Sequence, residues 1–262
     1  MDTRDYLKAF YEGHDEDGRL LTRHGGVEFI TTMRYVEKYL RPGCRIIEIG
    51  AGTGRYSHAL ARRGYRVDAV ELLEHNIEIF RRNTEEGEPV TISQGNALDL
   101  SEYEDDKYDI SLLLGPMYHL FNRDDQRRAL AETVRVTKPG GIVFAAYCMG
   151  DASILQYGFV RGKIHEIVEK CMIDTETFET FSNPWDIFEL YRKEDIDALR
   201  SDLKVTQLHY VAADGYANHM IDTLENMDEE TYRLFLKYHL ATCERPELTG
   251  YSNHTLDIFR KN

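Results

Sequence analysis

Between residues 45 and 148, short runs rich in β-branched residues alternate with longer stretches whose apolar residues recur at helical spacing. This alternation is typical of a parallel sheet that is covered by helices. Each run is apolar on both faces, as a strand between two helix layers must be. The runs predict strands at Arg45–Ile49, Arg66–Glu71, Val90–Gln94, Tyr108–Leu114 and Gly141–Cys148. Later runs predict two more, Val205–Val211 and His254–Phe259, so we expect an α/β fold with a doubly wound, mostly parallel, seven-stranded sheet.

The remaining segments are predicted to be helices and turns around this sheet. Helices are expected at Gly54–Arg63, Leu73–Thr84, from Asp124 onward, at 187–202 and from an Asp228 N-cap to about Cys243. Lys138-Pro139-Gly140-Gly141 predicts a turn before the fifth strand. Because no repeat or low-complexity linker interrupts the chain, we expect one domain over 1–262. Its parts are an N-terminal helical lid at 1–40, a core at 41–150, an aromatic-rich helical insertion at 151–186, and the rest of the sheet with a further helical insertion at 187–262.

Charge and cysteine spacing exclude several classes of function. The net charge of −14 repels phosphate backbones, so nucleic acid is not expected as a partner. The four cysteines lack C-x-x-C spacing, which argues against a zinc site and a disulfide framework, and we expect no metal. No apolar run reaches membrane-spanning length, and MDTRDYLKAF at the start lacks the apolar segment of a secretory signal. We expect a cytoplasmic protein with no membrane partner.

The first predicted strand runs into a glycine-rich loop at Gly50, Gly52 and Gly54. Glycines in a βα turn let the chain reverse sharply and let the backbone approach a ligand. The dinucleotide fingerprint G-x-G-x-x-G and the phosphate loop both fail here, because Arg55 stands where each would need another residue. Glu71, about 20 residues beyond the first glycine, ends the second strand where a carboxylate can bind ribose hydroxyls. The pattern indicates a nucleoside ligand with a modest polar appendage.

These motifs together resemble the class I S-adenosylmethionine-dependent methyltransferases over residues 45–148. The resemblance rests on E-x-G-x-G-x-G at Glu48–Gly54, Glu71, Gly95-Asn96-Ala97-Leu98-Asp99-Leu100, Tyr108-Asp109 and Lys138-Pro139-Gly140-Gly141. It implies a Rossmann-like fold with S-adenosylmethionine as the cofactor, the glycine loop beneath its methionine part and Glu71 on its ribose. Asn96, often aspartate in the family, would meet the adenine amino group. The implied cofactor-binding set is Glu48, Gly50, Ala51, Gly52, Gly54, Glu71, Leu72, Asn96, Ala97 and Leu114.

The acceptor is expected at the end of the fourth strand, since ligands of such sheets bind outside the carboxyl ends of the strands. The run Gly115-Pro116-Met117-Tyr118-His119-Leu120 resembles a subset of small-molecule methyltransferases, and it lacks the N/D-P-P-Y motif of enzymes that methylate nucleic-acid amines. His119 is the candidate general base, because its ordinary pKa lies near neutrality, or else a structural histidine. Tyr118 is a second catalytic candidate or a pocket wall.

Further acceptor-binding residues are expected outside the core of the sheet. The candidates are Tyr11, Arg19 and His24 of the N-terminal segment and Trp185 of the insertion. The aromatics of the insertion form either a lid over an organic substrate or a small core of their own. We therefore expect a methyltransferase that acts on a small molecule, as a monomer or homodimer. The alternatives are a regulatory protein that binds S-adenosylmethionine or S-adenosylhomocysteine without turnover, and a protein methyltransferase, which would need an open groove.

Overall fold

A computed structural model describes residues 3–13 and 16–262, so residues 1–2 and 14–15 of the expected lid lie outside the described part. The described residues form eight strands: β1 (Arg45–Ile49), β2 (Arg66–Glu71), β3 (Val90–Gln94), β4 (Tyr108–Leu113), β5 (Thr137–Met149), β6 (Leu190–Tyr191), β7 (Val205–Ala212) and β8 (His254–Lys261). The strand order is β3-β2-β1-β4-β5-β8-β7, and β6 pairs with the end of β5. Strands β1 to β5 run parallel, whereas β8 is antiparallel to both β5 and β7. The predicted doubly wound, mostly parallel sheet is confirmed, and β6 adds an eighth strand to the seven that were predicted.

Twelve α-helices lie in the described part of the chain: α1 (Thr3–Gly13), α2 (Glu16–Arg19), α3 (Arg23–Glu37), α4 (Arg55–Ala61), α5 (Glu74–Asn83), α6 (Arg123–Val136), α7 (Gly150–Ser153), α8 (Ile164–Glu169), α9 (Lys193–Ser201), α10 (Ile221–Glu225), α11 (Glu229–Thr242) and α12 (Pro246–Thr249). The predicted N-cap of α11 is confirmed, since the Asp228 side chain accepts from the Thr231 backbone N–H. Asn122 caps α6 in the same way, and the acids Asp124 and Asp125 lie in its first turn. None of the described helices is both long and apolar enough to cross a membrane.

Two helix predictions beyond β5 were wrong in part. The predicted helix at 187–202 begins only at Lys193, because Leu190 and Tyr191 instead form β6 against Cys148 and Met149. The insertion at 151–186 is helical only in its first half, through α7, a π-helical segment at Ile154–Val160, and α8. Its second half is mainly turns and irregular backbone, with an antiparallel bridge between Ile173 and Thr180 and one 3₁₀ turn at Pro184–Asp186.

The predicted turn at Lys138–Gly141 is a bulge within β5. Thr137 pairs with Tyr108 and Ile142 with Ile110, so four residues of β5 lie opposite Asp109 alone. Gly140 takes a φ of 78°, which glycine adopts without steric cost. The Lys138 Nζ donates to both carboxylate oxygens of Asp109 at 2.9 Å. The bulge therefore closes the amino end of the sheet, opposite the edge where ligands bind.

The apolar core lies on both faces of the sheet, as the two-sided hydrophobicity of the strands predicts. On one face, Leu112 and Phe144 pack with α3 and α4 residues such as Val36 and Leu60. On the other face, Leu113 and Val143 pack with residues of α6 and α9. Both faces are thus covered, and the edge at the carboxyl ends of the parallel strands is left to form a site.

Candidate functional site

A cavity of about 1040 Å³ opens along the carboxyl ends of the parallel strands. Its floor is formed by residues that directly follow β1, β2, β3 and β4. Its opposite wall comes from α1 and from the segment between β5 and β6. This position includes the point between β1 and β4 where the strand order reverses, which is where open α/β sheets bind their ligands.

The glycine loop lies at the start of this floor, and each of its glycines has a positive φ. Gly50 and Ala51 donate their N–H groups to the Val70 carbonyl at 2.8 and 3.0 Å, which holds the loop against β2. A Cβ on Gly50 would come within 2.4 Å of the Pro116 ring, whereas a Cβ on Gly52 would have no neighbour within 4 Å. The loop is therefore close-packed at Gly50 and open to the cavity at Gly52.

Glu71 is buried at the end of β2 and lines the cavity. One carboxylate oxygen accepts from the Gly52 N–H at 2.9 Å. The other accepts from the Leu73 N–H at 2.9 Å and from the Asn76 amide at 3.3 Å. Burial raises the pKa of Glu71, although these hydrogen bonds to the carboxylate act in the opposite direction. The carboxylate is thus fixed against the glycine loop, at one rim of the cavity.

Asn96 follows β3 and lines the same floor. Its side-chain oxygen accepts from the Leu98 N–H at 3.0 Å, so the amide is held in a local turn. Ala97 and Leu72 line the cavity beside it, and Leu114 lines it at the end of β4. The open loop, the fixed carboxylate and this amide form a polar floor with apolar walls, which suits a nucleoside.

Seven of the ten predicted cofactor residues line the cavity: Gly50, Gly52, Glu71, Leu72, Asn96, Ala97 and Leu114. The other three support the loop from behind. Glu48 is buried, accepts a short hydrogen bond from Ser57, and has a pKa that burial raises to about 8. Ala51 packs against Phe80, and Gly54 approaches both Phe80 and His58 so closely that a Cβ would lie 2.6 Å from each.

His119 ends the 3₁₀ turn Pro116–His119 that follows β4, and its ring lines the cavity. Its Nδ1 lies 2.8 Å from the Ile187 carbonyl, to which it must donate. Its Nε2 lies 3.0 Å from the Tyr11 hydroxyl, which therefore donates to the neutral ring. Burial lowers the pKa of His119 to about 4. The predicted base is thus a neutral imidazole that holds Tyr11 of α1 over the cavity.

A second cluster of polar side chains lies farther along the cavity, past the ends of β4 and β5. Tyr118 is buried, and its hydroxyl has no hydrogen-bond partner within the described chain. Arg19 donates to Glu28 at 2.8 Å, and His254 Nδ1 lies 2.6 Å from Asp214 Oδ2. Arg19, Tyr118 and His254 line the cavity. Sequence reasoning missed His254, for which the available signal was its position at the start of the strand beside the end of β5.

Glu28, Asp214 and His254 bring one ligand atom each to within 4.8 Å of the others, a spacing that could hold a metal ion. The charges of this cluster are already balanced by the protein. Arg19 pairs with Glu28, and the two acids raise the pKa of His254 well above its ordinary value despite burial. The protonated ring and the guanidinium thus occupy the positions where a cation would be attracted.

Two predicted acceptor residues lie outside the cavity. His24 Nδ1 pairs with Glu225 of α10 at 2.7 Å, and its side chain does not line the cavity. Trp185 is 61% exposed on the 3₁₀ turn of the insertion. Tyr11 and Arg19 do line the cavity, as do Tyr157 and Phe181 of the insertion. The insertion therefore contributes aromatic side chains to the cavity wall, although not the predicted tryptophan.

Comparison with known proteins agrees with this geometry. A family model described as a methyltransferase domain matches residues 46–141, which span β1 to the bulge of β5. Over this stretch the chain is similar to methyltransferase domains, and solved structures described as S-adenosylmethionine-dependent methyltransferases share its fold. The matched residues carry the glycine loop, Glu71 and Asn96, which form the floor of the cavity.

The chain is similar to proteins of several named activities. It is 32% identical to a ubiquinone biosynthesis O-methyltransferase of Methylocella silvestris and 33% identical to a demethylmenaquinone methyltransferase of Clavibacter sepedonicus. Each match covers about half of either protein: 48% of both chains for the first, and 45% of this chain and 46% of the relative for the second.

A solved structure shares the fold over the whole chain. A methyltransferase of Thermotoga maritima, described as a possible histamine N-methyltransferase, superposes with a TM-score of 0.60 at 18% identity and full coverage of both chains. A methyltransferase of Methanosarcina mazei superposes with a TM-score of 0.56 over 87% of this chain and 96% of the other, also at 18% identity. At such identities the likeness extends to the fold alone.

Proposed function

We propose that this protein transfers the methyl group of S-adenosylmethionine to a small-molecule acceptor. One observation carries the proposal. A single cavity connects the floor residues proposed to bind the cofactor, Gly52, Glu71 and Asn96, with the second polar cluster, which includes Tyr118 and His254. A cofactor and an acceptor can therefore lie side by side in one enclosure, as direct transfer between them requires.

On the cofactor side, Gly52 would leave room for the methionine part, Glu71 would hold the ribose, and Asn96 with Ala97 would meet the adenine. When bound, S-adenosylmethionine supplies a sulfonium-activated methyl group for direct displacement. The fit rests on the open space at Gly52 and on a carboxylate that loop N–H groups already orient. Glu48, Ala51 and Gly54 would act indirectly, by holding the loop in shape.

On the acceptor side, the chain's own residues would orient the acceptor and exclude water. Tyr11 is held over the cavity by His119, and Phe10 packs edge-on against Phe188, with ring centroids 5.8 Å apart. The neutral His119 can take a proton through the Tyr11 hydroxyl only weakly, because its pKa is low. We therefore propose that His119 positions Tyr11, and that proximity and desolvation supply most of the rate.

The finer features of the proposal are a cytoplasmic location, no metal, no nucleic-acid partner, and a monomer or homodimer. A protein methyltransferase is disfavoured because α1 and the insertion contribute a wall opposite the strand ends, which narrows the space for a polypeptide. A regulatory protein that binds the cofactor without turnover remains the alternative, and it differs from the enzyme only in lacking product formation.

Two measurements on the purified protein test the proposal. Titration calorimetry should show micromolar binding of both S-adenosylmethionine and S-adenosylhomocysteine. A panel of small acceptors incubated with S-adenosylmethionine should yield S-adenosylhomocysteine with at least one of them. Binding without turnover across a broad panel would favour the regulatory alternative, and no binding of either compound would refute the proposal.

A further inference from the structure

The polar cluster at the far end of the cavity extends from the turn after β4, whose Pro116 packs against Gly50, to the start of β8. Tyr118 follows β4, and His254 begins β8, which lies three strands from β1 in the order β1-β4-β5-β8. Adjacent strands lie about 4.8 Å apart, so the start of β8 is roughly 14 Å across the sheet from the loop that follows β1. The His254 side of this cluster therefore faces the acceptor rather than the cofactor.

At this end of the cavity, the basic side chains line the wall and the acidic side chains lie in the layer behind it. Arg19 and His254 line the cavity, whereas their acidic partners, Glu28 and Asp214, do not. Asp214 lies 2.6 Å from His254 Nδ1, and Glu28 lies 3.6 Å from the same nitrogen. Since the acids hold Nδ1, Nε2 is the ring nitrogen that can donate elsewhere. The wall thus presents cationic donors to the cavity, and the compensating negative charges lie behind them.

Two polar atoms beside these cations lack partners within the described chain. The Tyr118 hydroxyl is buried and unpaired, and its ring centroid lies 5.6 Å from that of His254. The side-chain oxygen of Asn253, the residue before His254, is also buried and unpaired. A half-turn of that amide would exchange the oxygen for N–H donors. Since buried polar groups are nearly always paired in the functional state, these atoms point to a ligand.

We propose that Tyr118 and His254, with Asn253 beside them, form a subsite for a carboxylate of the methyl acceptor. This inference rests on the proposed function and adds the substrate class to it. The hydroxyl of Tyr118 and the imidazolium N–H of His254 would donate to the carboxylate oxygens, which are strong acceptors. An ammonium group would instead be repelled by Arg19 and His254, which lie closer to the cavity than their acidic partners. The aromatic wall at Phe10, Tyr157 and Phe188 suits an aromatic or similarly apolar body for the acceptor.

The test uses three probes of one shape: benzoate, benzamide and benzylamine. Ligand-observed NMR titrations are run with and without saturating S-adenosylhomocysteine. We expect benzoate to bind the S-adenosylhomocysteine complex at least roughly tenfold more tightly than benzylamine, with benzamide between them. Equal or tighter binding of benzylamine, or no benzoate binding up to roughly 10 mM, would overturn the subsite. S-adenosylhomocysteine binding is scored separately, so the cofactor site can succeed while this inference fails.

Variants localise the effect. Tyr118→Phe removes only an unpaired hydroxyl, so folding should be retained while benzoate affinity falls roughly tenfold and benzylamine affinity is unchanged. His254→Gln should reduce the benzoate preference further, with thermal unfolding measured to check its fold. Tyr251→Phe, an exposed tyrosine outside the cavity, is the matched control and should leave benzoate binding unaltered.

The cofactor carries a carboxylate of its own, which is a second possible source of this group. S-adenosylhomocysteine is therefore compared with 5′-methylthioadenosine, which lacks the amino-acid part. If Tyr118→Phe weakens S-adenosylhomocysteine but leaves benzoate and 5′-methylthioadenosine unchanged, the subsite holds the cofactor and the acceptor assignment is wrong. Unchanged S-adenosylhomocysteine affinity with weakened benzoate would support the acceptor.

Discussion

Glu71 has two tasks that a substitution can separate. Its carboxylate fixes the glycine loop through the Gly52 N–H, and it is proposed to bind the ribose. Glu71→Ala removes both interactions, so we expect cofactor binding to weaken by about 1–3 kcal/mol. Calorimetry with S-adenosylhomocysteine measures this change.

Two companion variants complete that measurement. Glu71→Gln keeps an acceptor oxygen and should lose less affinity than Glu71→Ala. Glu74→Ala removes a nearby carboxylate that is exposed at the start of α5 and should change nothing. Unaltered affinity in Glu71→Ala would refute the ribose assignment.

His119 makes stability depend on pH in a defined direction. Burial lowers the pKa of His119 from 6.5 to about 4, so between these values the unfolded chain binds the extra proton more readily than the folded one. The unfolding free energy should therefore fall as the pH drops from 6.5 toward 4, by up to about 3 kcal/mol from this group. His119 should lower the unfolding free energy only below about pH 6.5 and should not affect it at alkaline pH.

The contribution of His119 is isolated by comparing the wild type with His119→Asn. The asparagine amide can still donate to the Ile187 carbonyl but does not titrate. Urea unfolding at about pH 7 and about pH 4.5 should show a smaller acid destabilisation in the variant. An identical acid destabilisation in the two proteins would contradict the buried, neutral histidine.

Some site residues could be placed from sequence because of where they follow the strands. Glu71 ends β2 and Asn96 lies two residues after β3, and the carboxyl ends of parallel strands share one edge of the sheet. His24 could not be placed, since its orientation depends on Glu225, 201 residues away. His254 carries no local motif, and its importance comes from neighbours that only the folded chain brings together.

At the scale of elements, the glycine loop divides into a position that packs and a position that is open. Gly54→Ala should destabilise the fold by about 2–4 kcal/mol, since its Cβ would collide with His58 and Phe80. Residue 52 also has a positive φ, but a Cβ added there meets no neighbour. Gly52→Val should therefore destabilise the fold by only about 1–3 kcal/mol through backbone strain. Its side chain would instead fill the cofactor space.

Thermal unfolding and calorimetry distinguish the two glycine variants. Gly52→Val should remain folded and lose S-adenosylhomocysteine binding, whereas Gly54→Ala should show mainly lower stability. Normal cofactor binding by Gly52→Val would refute the placement of the cofactor over the loop.

The central strands were predictable because their hydrophobic runs are set by burial on both faces, a local property of the sequence. The exceptions lie where pairing partners decide the structure. Leu190 and Tyr191 continue an amphipathic pattern but form β6, because the end of β5 offers unpaired backbone groups there. The second half of the insertion also depends on a pairing that no periodic pattern announces, the bridge between Ile173 and Thr180.

At the scale of the whole molecule, two segments far apart in sequence close the cavity together. Helix α1 contacts Phe188, just after the insertion, through Phe10, and it contacts the turn after β4 through Tyr11 and His119. Among the described residues of α1, Leu7 alone is buried. Such an element, with few buried contacts, opens at low free-energy cost. Entry of cofactor and acceptor is therefore expected to involve movement of α1.

This arrangement predicts which amides become protected when ligand binds. Hydrogen exchange followed by mass spectrometry should show slow exchange in β1, β4 and β5 with or without S-adenosylhomocysteine, because these strands are central and buried. Exchange in α1 should be fast in the free protein and at least roughly tenfold slower in the complex, since ligand contacts add to the cost of opening. Tyr11→Phe, which lacks the hydroxyl that bonds His119, should reduce this protection while leaving the strands unchanged. Equal exchange of α1 in the free and bound states would mean that ligand reaches the floor without this helix moving, and that the helix is a fixed wall.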